Sequence, residues 1–129
     1  MTKEQLRQYQ YIEREIKLLQ ADVCQVRDSL QSAQILSDMP KGGNNADRIA
    51  DTIAKIVDIE AIIHYKIRQL IELRGEIEAT IDGLPSDQRV LMRLRYIEGC
   101  SFEAIAVNLN YSWRHTHRLH GNALQKIMS

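Results

Sequence analysis

The segment Ser112-Trp113-Arg114-His115-Thr116-His117-Arg118 places two guanidinium groups, two imidazoles and an indole within seven residues, with no carboxylate among them. Those groups suit recognition rather than bond breaking. A guanidinium can span O6 and N7 of guanine with two parallel hydrogen bonds, and an imidazole can donate or accept at a base edge. Bond-breaking chemistry finds no comparable set. No paired carboxylates flank a cleft pattern, and no Ser/His/Asp arrangement is visible. Lys41-Gly42-Gly43 is too short for a phosphate-cradling loop and follows no strand. No enzyme is expected. A metal site at His115, His117 and His120 is tempting, but helical residues two apart point about 200° apart, so only His117 and His120 share a side. Two ligands without a nearby cysteine are too few for zinc, so neither metal nor cofactor is expected.

The elements that must hold those residues follow from caps and periodicity. Ser112 reads as the N-cap of a last helix, Trp113 to Ile127, and Ser101 as the N-cap of a short one, Phe102 to Asn108. The turn Leu109-Asn110-Tyr111 joins them. Asn110 stands where the chain needs a positive φ, which Asn tolerates best after Gly. A further helix, Ser86 to Glu98, precedes them and is closed by Gly99. Ala106 is small enough to let the last helix cross closely. Thr116, Leu119, Ala123, Leu124 and Ile127 make an apolar back, with Thr116 its weakest member. Trp113, Arg114, His115, His117 and Arg118 are left on the front. That is the layout of a helix-turn-helix, whose second helix lies in the DNA major groove. Ser101 and Ser112 sit at helix N-termini, where outward N–H groups can hold phosphates. Arg89, Arg93 and Arg95 divide between phosphate contacts, protein contacts and plain surface.

The first two thirds of the chain are different. Leu6, Tyr9, Ile12, Ile16, Leu19, Val23, Val26 and Leu30 recur at spacings of three and four, predicting one helix from about Lys3 to Leu36, roughly 50 Å long. Ser37-Asp38-Met39-Pro40-Lys41-Gly42-Gly43-Asn44-Asn45 breaks it, with Asn44 or Asn45 as the next N-cap. A second helix runs from Ala46 to Ile81. Ile49, Ile56, Ile63, Leu70 and Ile77 form one heptad position, and Ile53, Glu60, Ile67, Arg74 and Ile81 its partner. Glu60 and Arg74 interrupt the seam, and His64 falls on its flank. Two helices of matched length fold back as an antiparallel hairpin. Ile59, Ile62, Ile71 and Leu73 widen the apolar face beyond what one hairpin covers, so pairing with another copy is expected. The alternative is packing of the arm on its own C-terminal domain. Asp82-Gly83-Leu84-Pro85 ends the arm, with Gly83 as a left-handed cap.

Composition agrees with this division. The 129 residues carry a net charge of zero, with aromatics at only 5%. From Pro85 onward, six Lys/Arg against three Asp/Glu give +3; the remaining 11 bases and 14 acids give −3. A basic end joined to an acidic arm hides the basic site in the overall balance. Cys24 and Cys100 form no CxxC pair and read as small buried apolar groups in a reducing compartment. Met1 to Gln10 has no apolar leader core, and no apolar run is long enough to span a bilayer, so a cytosolic protein without membrane contact is expected.

Leu94-Arg95-Tyr96-Ile97-Glu98-Gly99, Ser101-Phe102-Glu103-Ala104-Ile105-Ala106, Tyr111-Ser112 and Ala123-Leu124-Gln125-Lys126-Ile127 together resemble the fourth conserved region of sigma-70 family factors. The resemblance implies binding to a promoter −35 element and to the RNA polymerase flap. It also implies base reading by Trp113, Arg114, His115, His117 and Arg118. Asn110 stands where that family usually has Gly. The arm resembles no part of a sigma factor. With the break and the sigma-like end, it is similar to small phage and prophage regulators of the ArpU or RinA type, which implies control of late gene expression.

The expected fold is all-α: a long antiparallel helical hairpin, residues 1–82, followed by a three-helix helix-turn-helix domain, residues 83–129. The expected function is a sequence-specific, DNA-binding transcriptional regulator, a dimer or tetramer through its arm, with the arm spacing two reading heads. Two other readings stay open: a phage DNA-packaging adaptor like a terminase small subunit, and an RNA polymerase-binding protein that does not read DNA.

Overall fold

The computed structural model describes residues 1–36 and 44–128. Five helices account for nearly all of them: α1 (Lys3–Leu36), α2 (Asn44–Asp82), α3 (Ser86–Tyr96), α4 (Phe102–Leu109) and α5 (Trp113–Met128). No strand occurs among the described residues. The fold is thus all-α, as the periodicity requires. The Ser37–Gly43 break and the side chains of Asn44 and Asn45, the expected cap, lie outside the described residues.

The described residues group into two compact units. One is Arg14–Arg68, the part of the hairpin nearer the break. Its two helical segments run antiparallel: Lys66 pairs with Glu15 at 2.6 Å, and Arg27, further along α1, pairs with the earlier Glu60. Ile16, Val23, Ile56 and Ile63 are buried between the helices. Leu19, Val26, Ile59 and Ile67 are half-buried beside them. The expected seam needs one correction here. Ile53 is 46% exposed, so the 53/60/67 row does not pack inside the hairpin at its Ile53 end, while Ile67 is half-buried. Ile59, on the other flank of the Ile56–Ile63 line, is half-buried as well. Cys24 is also exposed rather than buried, since it sits beyond Val23 on the rim of the helix pair; Cys100 is half-buried, and both thiols are free.

The other unit joins Met1–Glu13 to Gln69–Ser129. One core connects its parts: Leu6 and Tyr9 of α1, Ile77 and Ile81 of α2, Leu91 and Tyr96 of α3, Ile105 of α4, and Leu119 and Ala123 of α5. Leu6, Ile77, Leu91 and Ile105 are completely shielded, and burying a side chain of that size is worth about 1.5–3 kcal/mol. The α2–α3 turn departs from expectation. Gly83 does not take a left-handed φ; Leu84 N–H bonds Ile81 O at 2.9 Å and Leu84 drops into the core. Burying Leu84 at once leaves no room for a longer cap. Pro85, at φ −56°, then opens α3.

Gly99 does adopt φ +75°. It sits against α1: Gln10 Nε2 donates to Tyr96 O at 2.7 Å and to Ile97 O at 3.3 Å, capping the end of α3. A Cβ on Gly99 would lie 2.7 Å from Gln10 Oε1. Side-chain length at Gln10 and the missing side chain at Gly99 are therefore matched.

Candidate nucleic-acid interface

The turn between α4 and α5 forms as the residues dictate. Ser101 Oγ accepts from Ala104 N–H at 3.1 Å and caps α4, and Ser112 Oγ accepts from His115 N–H at 3.1 Å and caps α5. Asn110 holds φ 58°, and Tyr111 N–H closes the turn on Ala106 O at 2.9 Å. A β-branched residue at Asn110 would be strained there. Each cap oxygen is thus used by its own helix, so any phosphate contact from Ser101 or Ser112 runs through the hydroxyl proton.

The back of α5 packs as expected at Thr116, Leu119, Ala123 and Leu124, all buried, with Ile127 half-buried. Thr116 is fully shielded although polar, because its hydroxyl donates to Ser112 O at 2.9 Å within the helix. His120 is the residue that periodicity missed. It is buried with them, and its Nε2 lies 2.7 Å from the Tyr96 hydroxyl. Burial, and then the positive field of Lys3 and Arg95, push His120 down to about 4. Burial likewise raises Tyr96. A neutral His120 and a protonated Tyr96 hydroxyl therefore share this hydrogen bond.

The front of α5 has no acid. Arg114 and Arg118 are exposed at its centre, and Trp113 is 60% exposed at its start. The two remaining members are held at the edges. His115 is half-buried; its Nδ1 accepts from an Arg118 guanidinium nitrogen at 2.9 Å, and Tyr111 stands edge-on at 4.6 Å. That contact fixes the tautomer with hydrogen on Nε2 and restrains the Arg118 head. His117 is clamped between Trp113, 4.0 Å away, and Phe102, 4.3 Å away. Its Nε2 is buried without a hydrogen-bond partner. Phe102 also meets His120 edge-on at 4.9 Å and lies under Arg95 at 4.2 Å. The front thus divides into a cationic centre and two aromatic edges, which sequence spacing does not show.

The three arginines of α3 also separate. Arg95 bonds Cys100 O at 3.1 Å and covers Phe102, a packing role. Arg93 reaches Glu78 at 3.3 Å, and Arg89 reaches Ser86 Oγ at 3.3 Å. No group of three or more His, Cys, Asp or Glu side chains comes together as a metal site among the described residues. No described helix is long and apolar enough to cross a membrane.

A buried-backed, acid-free helix set behind a short helix and a left-handed turn defines the class: a helix-turn-helix of the DNA-binding kind. Comparison with known families agrees, since the model for sigma-70, region 4, matches residues 74–113. This part of the chain carries a sigma-70 region 4-like helix-turn-helix. The match takes in the end of α2, all of α3 and α4, the turn, and α5 only as far as Trp113. No curated protein and no solved structure matches the chain.

Proposed function

We propose that this chain is a sequence-specific, DNA-binding transcriptional regulator that lays α5 in the major groove. Arg114 and Arg118 read base edges, and Trp113, His115 and His117 flank them. Ser101 and Ser112 position the backbone phosphates. The observation that carries the reading is the exposed Arg114–Arg118 pair on a front without carboxylates, braced by Thr116, Leu119 and Ala123 behind it. Arg118 gains definition from His115, and a restrained guanidinium loses less freedom on binding a guanine.

The family match ends where the base-reading residues begin, so the target sequence belongs to this chain's own α5. The arm, residues 1–82, serves oligomerisation, and residues 83–129 supply the reading head. Sequence-specific operators of such proteins are read by paired heads. A phage or prophage origin and a contact with RNA polymerase complete the reading, on the sequence resemblance. In vitro selection of duplex DNA by the purified chain tests it. A recovered consensus with a steep loss of affinity in salt is the expected result, because phosphate contacts release counterions. Recovery of no consensus, or a flat salt response with polymerase binding retained, overturns it.

A further inference from the structure

α2 carries two apolar stripes side by side. Ile56 and Ile63 lie on the stripe buried against α1. The second stripe is Ile53, Val57, Glu60, His64, Ile67 and Ile71, at alternating steps of four and three. Three of its members are large and open to water: Ile53 at 46%, Val57 at 58% and Ile71 at 66% exposure. Steps of four and three are the spacing of a coiled-coil seam, and α1 only borders this one, at Glu60 and Ile67, leaving Ile53, Val57 and Ile71 uncovered. An open groove of about 340 Å³, floored by Val23, Ile63 and Ile67, runs alongside and is wide enough for side chains from another helix.

The order of residues identifies the occupant. Read from either end, the stripe is the same in kind. Ile53 and Ile71 are equidistant from position 62, as are Val57 and Ile67, and as are Glu60 and His64. We infer that a second copy of this chain docks here, with the two α2 stripes antiparallel about a two-fold axis near position 62. This deepens the oligomeric part of the function proposed above and rests on it. In that register Ile53 meets the partner's Ile71 and Val57 meets the partner's Ile67. Glu60 meets the partner's His64, and the symmetry makes each contact twice. Positions of the two kinds in the heptad face one another, as antiparallel pairs require. A parallel, in-register pair sets Glu60 on Glu60 instead, with like charges in contact. Arg27, already paired with Glu60, lies at the same groove and adds positive charge beside that carboxylate.

Sedimentation equilibrium of the full chain tests this, with circular dichroism to show that each variant stays helical. The wild type is expected to be a dimer or a pair of dimers. His64→Glu sets carboxylate on carboxylate in both central layers and is expected to weaken association by about tenfold or more. Mixing it with Glu60→Lys restores a heterodimer. One central layer then keeps its native pair, Glu60 on His64, and the other sets the introduced carboxylate on the introduced ammonium. Orientation is read by cross-linking in a Cys24→Ser, Cys100→Ser background. Val57→Cys mixed with Ile67→Cys is expected to give a disulfide between the two variants, and neither by itself a disulfide between identical copies. A wild type that stays monomeric overturns both this pairing and the oligomeric reading. A dimer that His64→Glu leaves intact, or that cross-links Val57→Cys to itself, overturns the antiparallel seam and leaves oligomerisation standing.

Discussion

The Tyr96 hydroxyl and Nε2 of His120 are hydrogen-bonded across 2.7 Å inside the helix-turn-helix core, tying α3 to α5. Neither group sits in a position that is polar by need. His120 is buried beside Leu119, Ala123 and Leu124 on the back of α5, and a single buried hydrogen bond compensates it. The pair also orients what lies in front. His120 stands edge-on to Phe102, Phe102 supports His117, and His117 supports the exposed Trp113. The core and the exposed front of α5 are joined by one run of rings.

Acid should therefore loosen this unit in a defined window. His120 is held at about 4 in the folded chain against an ordinary value of 6.5, chiefly by burial. Its contribution is fully present above pH 6.5 and is lost as pH falls from 6.5 through 4, because the unfolded chain takes up the proton first. Allowing for solvent screening, the loss is about 2 kcal/mol. Urea denaturation across that range measures it. His120→Gln keeps a hydrogen-bonding partner for Tyr96 but cannot titrate, so its stability should fall less steeply than the parent's across the window. Equal pH profiles for both would remove His120 as the cause.

The Gln10–Gly99 contact predicts that α1 stabilises the helix-turn-helix unit. Gly99→Ala combines a left-handed φ of +75° with a 2.7 Å approach to Gln10 Oε1 and should cost about 2 kcal/mol. Gln10→Ala uncovers the carbonyls of Tyr96 and Ile97 and should cost about 1 kcal/mol. In the double variant the clash is gone, so the combined cost should be less than the sum of the two. Thermal melts of the four chains form the cycle, and strict additivity would show that the contact does not matter.

At the interface, Arg114→Ala and Arg118→Ala should each weaken binding to a selected operator by roughly 1–3 kcal/mol. Loss at Arg118 should be the smaller when His115 is already replaced, because His115 restrains the same guanidinium. Titration of labelled duplex reads both. Parent-like affinity in both single variants would place base recognition elsewhere.

Gly75 offers a control that touches neither site. It lies within α2, and a Cβ there meets nothing within 4 Å. Gly75→Ala should raise stability by about 0.5–1 kcal/mol through helix propensity, seen as a higher melting temperature with unchanged DNA binding.

Much of this is legible in the chain because the signals are local. Spacings of three and four set the helices, since a helix face is decided within two turns. Ser101 and Ser112 cap because a short hydroxyl reaches the N–H three residues on, and Asn110 turns because its own backbone allows it. Ala106, Leu119 and Ala123 face inward by the same period.

What needed the tertiary structure involves partners far apart in sequence. His120 looks polar by type and is core by environment, because Tyr96, 24 residues earlier, satisfies it. The end of α3 is capped from Gln10, 86 residues away, which no local rule reaches. Gly83 has the type and place of a left-handed cap, but burial of Leu84 imposes a tighter turn. The α2 rows show the same division. Their apolar positions are plain from spacing, while the placement of α1 decides that Ile56 and Ile63 face inward and Ile53 and Val57 face water. Periodicity fixes which residues share a face; only packing chooses which face is covered.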